Sequence, residues 1–280
     1  MRPKLLTRLL PGLLVALALV SPTALAQNQV AVVTDVKTHL GGCSVGPATV
    51  AVLYAPTATW VVYADLSARL PPGVGVDALG LLADGRIVFS TDVGFTSGGV
   101  TATRRDLVLL DHGAFSLLLD GGAIGLRPEA NLDAVAVVSV SPLDVYFTVD
   151  VPVVIGGTTY TDDDILQYSG GAVSVAVAGS SLLGAGAPRT DVDGLAVDPS
   201  SGRFLFSTDV SIANLGGLAW ADDEDVMEYT GSGLVMRYDM SAWGLDGPRV
   251  DVRDFDLTPV VLFADGFESG NASAWSAVAP

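Results

Sequence analysis

Hydrophobic positions in this chain form short clusters that are rich in β-branched and aromatic residues and are separated by Gly, Pro, Ser and Asp. A well-defined series of such clusters is Gly194–Asp198, Arg203–Val210, Asp225–Tyr229 and Gly233–Asp239. The intervening segments Pro199–Gly202 and Thr230–Ser232 have the composition of turns. No window of helical length carries a sustained 3.6-residue stripe. The pattern predicts short antiparallel strands.

The strand pattern repeats, and three aspartates mark each repeat. The first aspartate lies at the start of the first strand and is Asp77, Asp133 or Asp193. The second lies at the end of the second strand and is Asp92, Asp150 or Asp209. The third lies before the third strand and is Asp106, Asp164 or Asp225. Each unit therefore spans roughly sixty residues, longer than the ~40 to 50 residues of common propeller repeats.

The two ends of the chain supply complementary parts of one further unit. Val30–Val36, Thr49–Tyr54 and Thr59–Asp65 match the last three strands of a unit, and Val252–Thr258 matches the missing first strand. Pairing of the two ends would close a ring without an open seam. We therefore predict an all-β, four-bladed β-propeller of four-stranded repeats over residues 27–259; its repeats are 27–75 plus 252–258, 76–131, 132–191 and 192–251. The alternatives are an open array of sheets and half of a larger ring completed by a second chain.

The two termini outside the repeats have their own signatures. Met1–Ala26 has three basic residues, an apolar segment and a small-residue cleavage site before Gln27, which predicts a secretory signal peptide and a secreted, cell-surface or periplasmic product. No later apolar segment approaches the ~20 residues of a spanning helix. Residues 260–280 contain Phe263–Gly270 (FADGFESG), followed by Trp275-Ser276.

That C-terminal segment resembles a short F-x-D-G-F-E-x-G…W-S tail found on otherwise unrelated secreted proteins of Gram-negative bacteria. The resemblance implies a sorting signal, and the alternative is an additional strand. The repeats, with D-A-L, F-S-T-D and D-E-D motifs, resemble an uncharacterised bacterial family of secreted β repeats. This second resemblance implies a fold and a location, and it implies no activity.

Charge and cysteine content narrow the classes of partner. The formal net charge is -17, and removal of the three basic residues of the leader takes it to -20. So acidic a chain repels nucleic acid and anionic membranes and attracts cations. Cys43 is the single cysteine, so no disulfide can form within the chain. His39, His112 and Cys43 lie in no conventional catalytic pattern.

The acidic segments between the second and third strands suggest a metal site. Carboxylates that converge there suit Ca²⁺, which takes about 6 to 8 oxygen ligands. The ligands predicted on this basis are Asp150, Asp162, Asp164, Asp209, Asp223 and Asp225. Arg104-Arg105 replaces the acids in the unit that begins at residue 76. The alternative is that these aspartates cap strand ends by binding loop backbone.

A second candidate site comprises the residues that follow the start of each first strand. Asp77, Asp133, Asp193 and Arg253 are expected to surround the propeller axis, where they could bind a cation or a polar ligand. The alternative is backbone capping between blades. The function predicted from these features is a non-enzymatic binding module for an extracellular carbohydrate or protein, with calcium as its candidate cofactor. The alternatives are a hydrolase or lyase that uses axial acids and a purely structural envelope protein, because propellers host many functions.

Overall fold

The computed structural model describes residues 29–184, 190–245 and 250–257, and within them the regular structure is almost entirely β. Four antiparallel sheets of four strands form the blades of a propeller, which confirms the predicted fold class. From the axis outward, blade 1 contains β24 (Val252–Asp256), β1 (Gln29–Thr34), β4 (Thr49–Tyr54) and β5 (Thr59–Asp65), and blade 2 contains β6 (Val76–Leu81), β7 (Ile87–Thr91), β10 (Leu107–Asp111) and β11 (Ala114–Leu119). In the same order, blade 3 contains β12 (Leu132–Val140), β13 (Leu143–Val149), β16 (Ile165–Ser169) and β17 (Ala172–Val177), and blade 4 contains β18 (Val192–Val197), β19 (Phe204–Thr208), β22 (Val226–Tyr229) and β23 (Leu234–Tyr238).

The ring is closed by its two ends. Strand β24 pairs antiparallel with β1, with Val32 opposite Phe255 and Ala31 opposite Asp256. The C-terminal strand thus becomes the innermost strand of the blade that the N-terminal segment begins. The expected closure is confirmed, and the predicted signal peptide 1–26 and tail 260–280 lie outside the described residues.

A two-stranded hairpin connects the second and third strands of every blade, where the sequence pattern predicts only loops. The four hairpins are β2–β3 (Thr38–Leu40, Cys43–Val45), β8–β9 (Phe95–Ser97, Val100–Ala102), β14–β15 (Val153–Ile155, Thr158–Tyr160) and β20–β21 (Ile212–Leu215, Leu218–Ala221). Each turn is a pair of residues with positive φ, such as Gly156 and Gly157 at 59° and 88°. Two consecutive positive φ values define the hairpin turn that glycine adopts without steric cost.

The hydrophobic core is divided into one cluster per interface between neighbouring blades. Phe89 and Val52 lie in the cluster between blades 1 and 2, whereas Val88, the next residue of β7, faces the cluster between blades 2 and 3. The clusters between blades 3 and 4 and between blades 4 and 1 are built in the same way. Because both faces of each sheet are covered, strands such as β7 are hydrophobic at consecutive positions as well as at alternate ones.

The innermost strands β24, β6, β12 and β18 pack against one another around the axis. Each contains a β-bulge, at which one extra residue is inserted opposite the neighbouring strand. In β6, for example, Val76 pairs with Thr91 and Leu79 pairs with Phe89, so that Asp77 and Ala78 together face one residue. A bulge redirects the side chain of the extra residue. The redirected residues include the four predicted axial residues, and they define the site below.

Candidate functional site

The predicted axial residues lie at one mouth of the propeller, each at a seam between two blades. At each seam the bulged residue of one innermost strand faces the residue that precedes the innermost strand of the next blade. The facing pairs are Arg253 and Gly75 at seam 1–2, Asp77 and Asn131 at seam 2–3, Asp133 and Asp191 at seam 3–4, and Asp193 and Asp251 at seam 4–1. The structure thus places the four residues equivalently around the axis, each against a different partner.

Two of the seams contain a cation. At seam 1–2, Nη1 of Arg253 lies 3.1 Å from Oδ1 of Asp77 and 3.2 Å from Oδ2 of Asp92. At seam 2–3, Asn131 donates its side-chain amide to Asp77, and Arg104 lowers the pKa of Asp150 electrostatically, against a larger effect of burial that raises it. Both seams are therefore partly neutralised by side chains of the chain itself.

Seams 3–4 and 4–1 are acidic throughout. Asp133, Asp162, Asp191 and Asp209 interact electrostatically at the first, and Asp35, Asp193, Asp223 and Asp251 do so at the second. Within the described residues, the salt bridges of the mouth involve only Arg253. The two seams therefore bring like charges together, and no described cation forms a salt bridge with them.

The pKa values of these groups reflect burial and mutual repulsion. Burial, followed by repulsion from Asp133, raises the pKa of Asp191 to about 10. Burial likewise raises the pKa of Asp251 to about 7, and the repulsion by Asp223 and Asp35 adds to it. Asp133 and Asp193 each hydrogen-bond the facing carboxyl group, and burial is the main reason that their pKa values lie well above the usual range. Such a pair is most stable when its two carboxyl groups share a proton.

The second aspartate of every repeat caps the end of an innermost strand. Oδ1 of Asp92, Asp150, Asp209 and Asp35 accepts the backbone N–H of Gly75, Asn131, Asp191 and Asp251, respectively, at 2.7 to 2.9 Å. The backbone N–H of each of these aspartates donates back to the carbonyl of the same partner. Asp150 and Asp209, two of the predicted calcium ligands, therefore each have one oxygen engaged in a cap.

The third aspartate, present in blades 2 to 4, also caps backbone, away from the axis. Oδ2 of Asp164 accepts the N–H of Thr161 at 2.8 Å, and its Oδ1 accepts the N–H of Gly179 at 2.8 Å. Asp225 binds the N–H groups of Asp222 and Met240 in the same way. Asp162 and Asp223 lie instead at the acidic seams. The six predicted calcium ligands are thus divided between two levels of each blade, and the described residues hold no group of three His, Cys, Asp or Glu side chains arranged to bind a metal.

Several residues of the mouth were not among the sequence-based candidates. Asn131, Asp191 and Asp251 precede the innermost strands by one position, and their role depends on the bulge, which no local pattern shows. Oδ1 of each is buried and accepts no N–H or alcohol hydroxyl group of the described residues. Alignment of the repeats at this position could have found them.

Comparisons with known proteins do not assign this chain to a family. No family profile matches the chain, and no curated protein is similar to it. Among solved structures, the extracellular domain of a putative one-component system from B. thetaiotaomicron is 12% identical, with a TM-score of 0.30, and the match covers 70% of this chain and 25% of that one. A protein of unknown function from Bacteroides caccae is also 12% identical at a TM-score of 0.30, with 75% and 59% of the two chains covered. No helix of the described residues is long and apolar enough to span a membrane.

Proposed function

We propose that the protein is a non-enzymatic binding module whose acidic mouth takes a ligand that presents guanidinium or ammonium groups. The observation that carries this proposal is a difference in charge between equivalent seams of the propeller. Arg253 bridges Asp77 and Asp92 at seam 1–2, whereas seams 3–4 and 4–1 have acids in the equivalent places and, among residues 29–184, 190–245 and 250–257, no guanidinium in a salt bridge with them. A cationic group from a ligand would replace the shared proton of each acid pair and remove the repulsion.

The rim of the mouth favours an organic cation. Val93 and Val210 directly follow the capping aspartates Asp92 and Asp209, and they are 49% and 42% exposed. Exposed aliphatic side chains beside carboxylates suit a cationic head group on an apolar stem, as in a basic peptide. An ion without a stem would gain nothing from these valines. Calcium at the acidic segments stays a separate prediction, and the same titration tests it.

The experiment is a calorimetric titration of a diarginine peptide, and separately of Ca²⁺, into the mature protein at low ionic strength. We expect saturable binding of the peptide, at least tenfold weaker in Asp191→Asn and in Asp251→Asn, because each substitution removes one carboxyl group from an acidic seam. Asp84→Asn, in an exposed turn far from the mouth, is the matched control for net charge. Equal affinities in all four proteins, or no saturable peptide binding, would exclude the proposal.

The hydrolase alternative has weaker geometric support. The facing carboxyl groups of Asp133 and Asp191 are in hydrogen-bond contact. Glycoside hydrolysis uses two carboxyl groups about 5 to 10 Å apart, so that a sugar or a water molecule fits between them. A catalytic function at the mouth therefore stays a prediction, and the binding function is the one that the paired geometry favours.

A further inference from the structure

Seam 1–2 opens into a pocket of about 600 Å³ that the acid pairs do not use. Its polar lining includes Asp35, Lys37, Ser44, Asp65, Ser67 and Asp92, together with the mostly buried Thr49, and Pro47, Ala48 and Val74 form apolar parts of its wall. The volume lies within the roughly 300 to 1,000 Å³ of small-molecule sites. The pocket connects the mouth, through Asp35 and Asp92, with the hairpin β2–β3 and the segment between β5 and β6.

The pocket exists because smaller residues occupy two positions of the repeat at this seam than at the other seams. The turn before the third strand carries Arg104, Asp162 and Asp223 in blades 2 to 4, but Pro47 in blade 1. The position before the innermost strand carries Asn131, Asp191 and Asp251 in blades 3, 4 and 1, but Gly75 in blade 2. A Cβ atom on Gly75 would lie 3.1 Å from Nη1 of Arg253 and 3.1 Å from Cβ of Pro47. The missing side chain thus leaves space for Arg253, and the small turn residue leaves space above it.

The polar groups of the pocket have unused hydrogen-bonding capacity. Oδ1 of Asp65 accepts the backbone N–H of Ser67 at 2.9 Å, and its Oδ2 has no hydrogen bond within the described part of the chain. The hydroxyl groups of Ser44 and Ser67 likewise have no hydrogen-bond partner among the described residues, and Lys37 is exposed without a described ion pair. Acceptors and donors therefore line the same cavity.

The presence of both donors and acceptors in the pocket distinguishes between classes of ligand. A simple cation would bind the carboxylates and leave the hydroxyls and Lys37 without a role. A polyhydroxylated ligand matches both kinds of group, because each hydroxyl can donate to a carboxylate and accept from an ammonium or a serine hydroxyl. Asp92 is already paired with Arg253, and the remaining carboxylates of Asp35 and Asp65 outnumber Lys37 in the lining. This excess favours a ligand that carries an amino group as well.

We propose that the pocket at seam 1–2, lined by Asp35, Lys37, Ser44, Asp65, Ser67 and Asp92, is a carbohydrate site that prefers an amino sugar to its neutral counterpart. The proposal goes beyond the binding of cations at the acidic seams, since it rests on a cavity whose lining shares only Asp35 with them. The preference follows from the carboxylates, and the recognition of hydroxyl groups follows from the serines and Lys37.

The test is ligand-detected NMR and calorimetry on the mature protein with glucosamine, galactosamine, glucose and galactose. We expect saturable binding of at least one amino sugar, and at least fivefold weaker binding of its neutral counterpart. Pro47→Arg restores the long side chain that Arg104 provides at seam 2–3 and should reduce the affinity at least tenfold. Lys37→Met, at an exposed hairpin position, should reduce it severalfold and provides a second measurement if Pro47→Arg does not fold.

Two controls separate this site from the acidic seams. Ser174→Arg adds the same charge on an exposed strand of blade 3 and should leave sugar affinity unchanged. Asp191→Asn should weaken diarginine and leave sugar affinity unchanged. Failure of all four sugars to bind, or binding that survives both Pro47→Arg and Lys37→Met, would overturn the carbohydrate site whatever the outcome at the acidic seams.

Discussion

At the scale of single residues, Asp254 is the side chain on which the most elements depend. It is fully buried on the axis, and its carboxylate accepts the backbone N–H groups of Leu79, Val135 and Leu195 at 2.6, 3.0 and 2.8 Å. A fourth bond comes from Phe255 in its own strand. One carboxyl group thus connects all four innermost strands.

Asp254→Ala should therefore destabilise the protein severely. Each buried N–H left without a partner costs about 1 to 3 kcal/mol, so the loss of three partners should lower the free energy of unfolding by about 3 kcal/mol or more. Urea unfolding followed by tryptophan fluorescence measures the change, and Asp84→Ala in an exposed turn is the control. A loss below about 1 kcal/mol would mean that water replaces the carboxylate on the axis.

At the scale of elements, the third aspartate joins the two ends of the outer strand pair in a blade. Asp225 holds the turn before β22 through the N–H of Asp222 and the segment after β23 through the N–H of Met240. These two backbone caps explain why the aspartate recurs in the repeats, and the explanation requires no ligand. Each carboxylate oxygen of Asp225 thus already accepts one backbone N–H.

Asp225→Ala should consequently lower the free energy of unfolding by about 1 to 3 kcal/mol in chelator, because two backbone N–H groups lose their acceptor. Glu129→Ala, on an exposed side chain, should have little effect. Thermal unfolding of both variants and of the parent protein, with and without Ca²⁺, gives the measurement. A calcium-dependent rise in the melting temperature that Asp225→Ala abolishes would show that the carboxylate is a ligand and would support the sequence-based prediction.

At the scale of the whole molecule, the charge around the ring is uneven, because cations within the described part of the chain accompany seams 1–2 and 2–3 and not the other two. The folded protein holds protons on Asp191 and Asp251 up to a pH of about 10 and about 7, whereas the same groups in the unfolded chain ionise near their ordinary value. The folded state binds more protons over that interval, and its stability therefore decreases as the pH rises.

The melting temperature should accordingly fall as the pH increases from about 5 to 9. The fall should be smaller in Asp251→Asn between pH 5 and 7, and smaller in Asp191→Asn across the whole interval, because the amide does not ionise. Calorimetric scans at several pH values and constant ionic strength provide the comparison. A melting temperature that rises with pH, or equal slopes in the three proteins, would contradict the assignment of shared protons to the acid pairs.

The sequence alone determined the architecture, because hydrophobic periodicity and the three recurrent aspartates are local properties repeated in every unit. The complementary ends, Val30–Val36 and Val252–Thr258, made closure predictable for the same reason. Alignment of the repeats also located Asp77, Asp133, Asp193 and Arg253 at equivalent positions. The glycine pairs predicted tight turns, although the short hairpin strands around them carry too few residues to show a period.

Only the tertiary structure decided what those positions do. The bulges depend on pairing between strands, so nothing in the local sequence shows that Asp191 and Asp251 face the acids of a neighbouring blade. The role of Asp254 likewise requires four strands that meet on one axis, where its carboxyl group accepts backbone N–H groups of the other three. The hydrogen bonds of Asp254 and the electrostatic interactions of the acid pairs depend on distances between blades. The chain acquires them only when the ring closes.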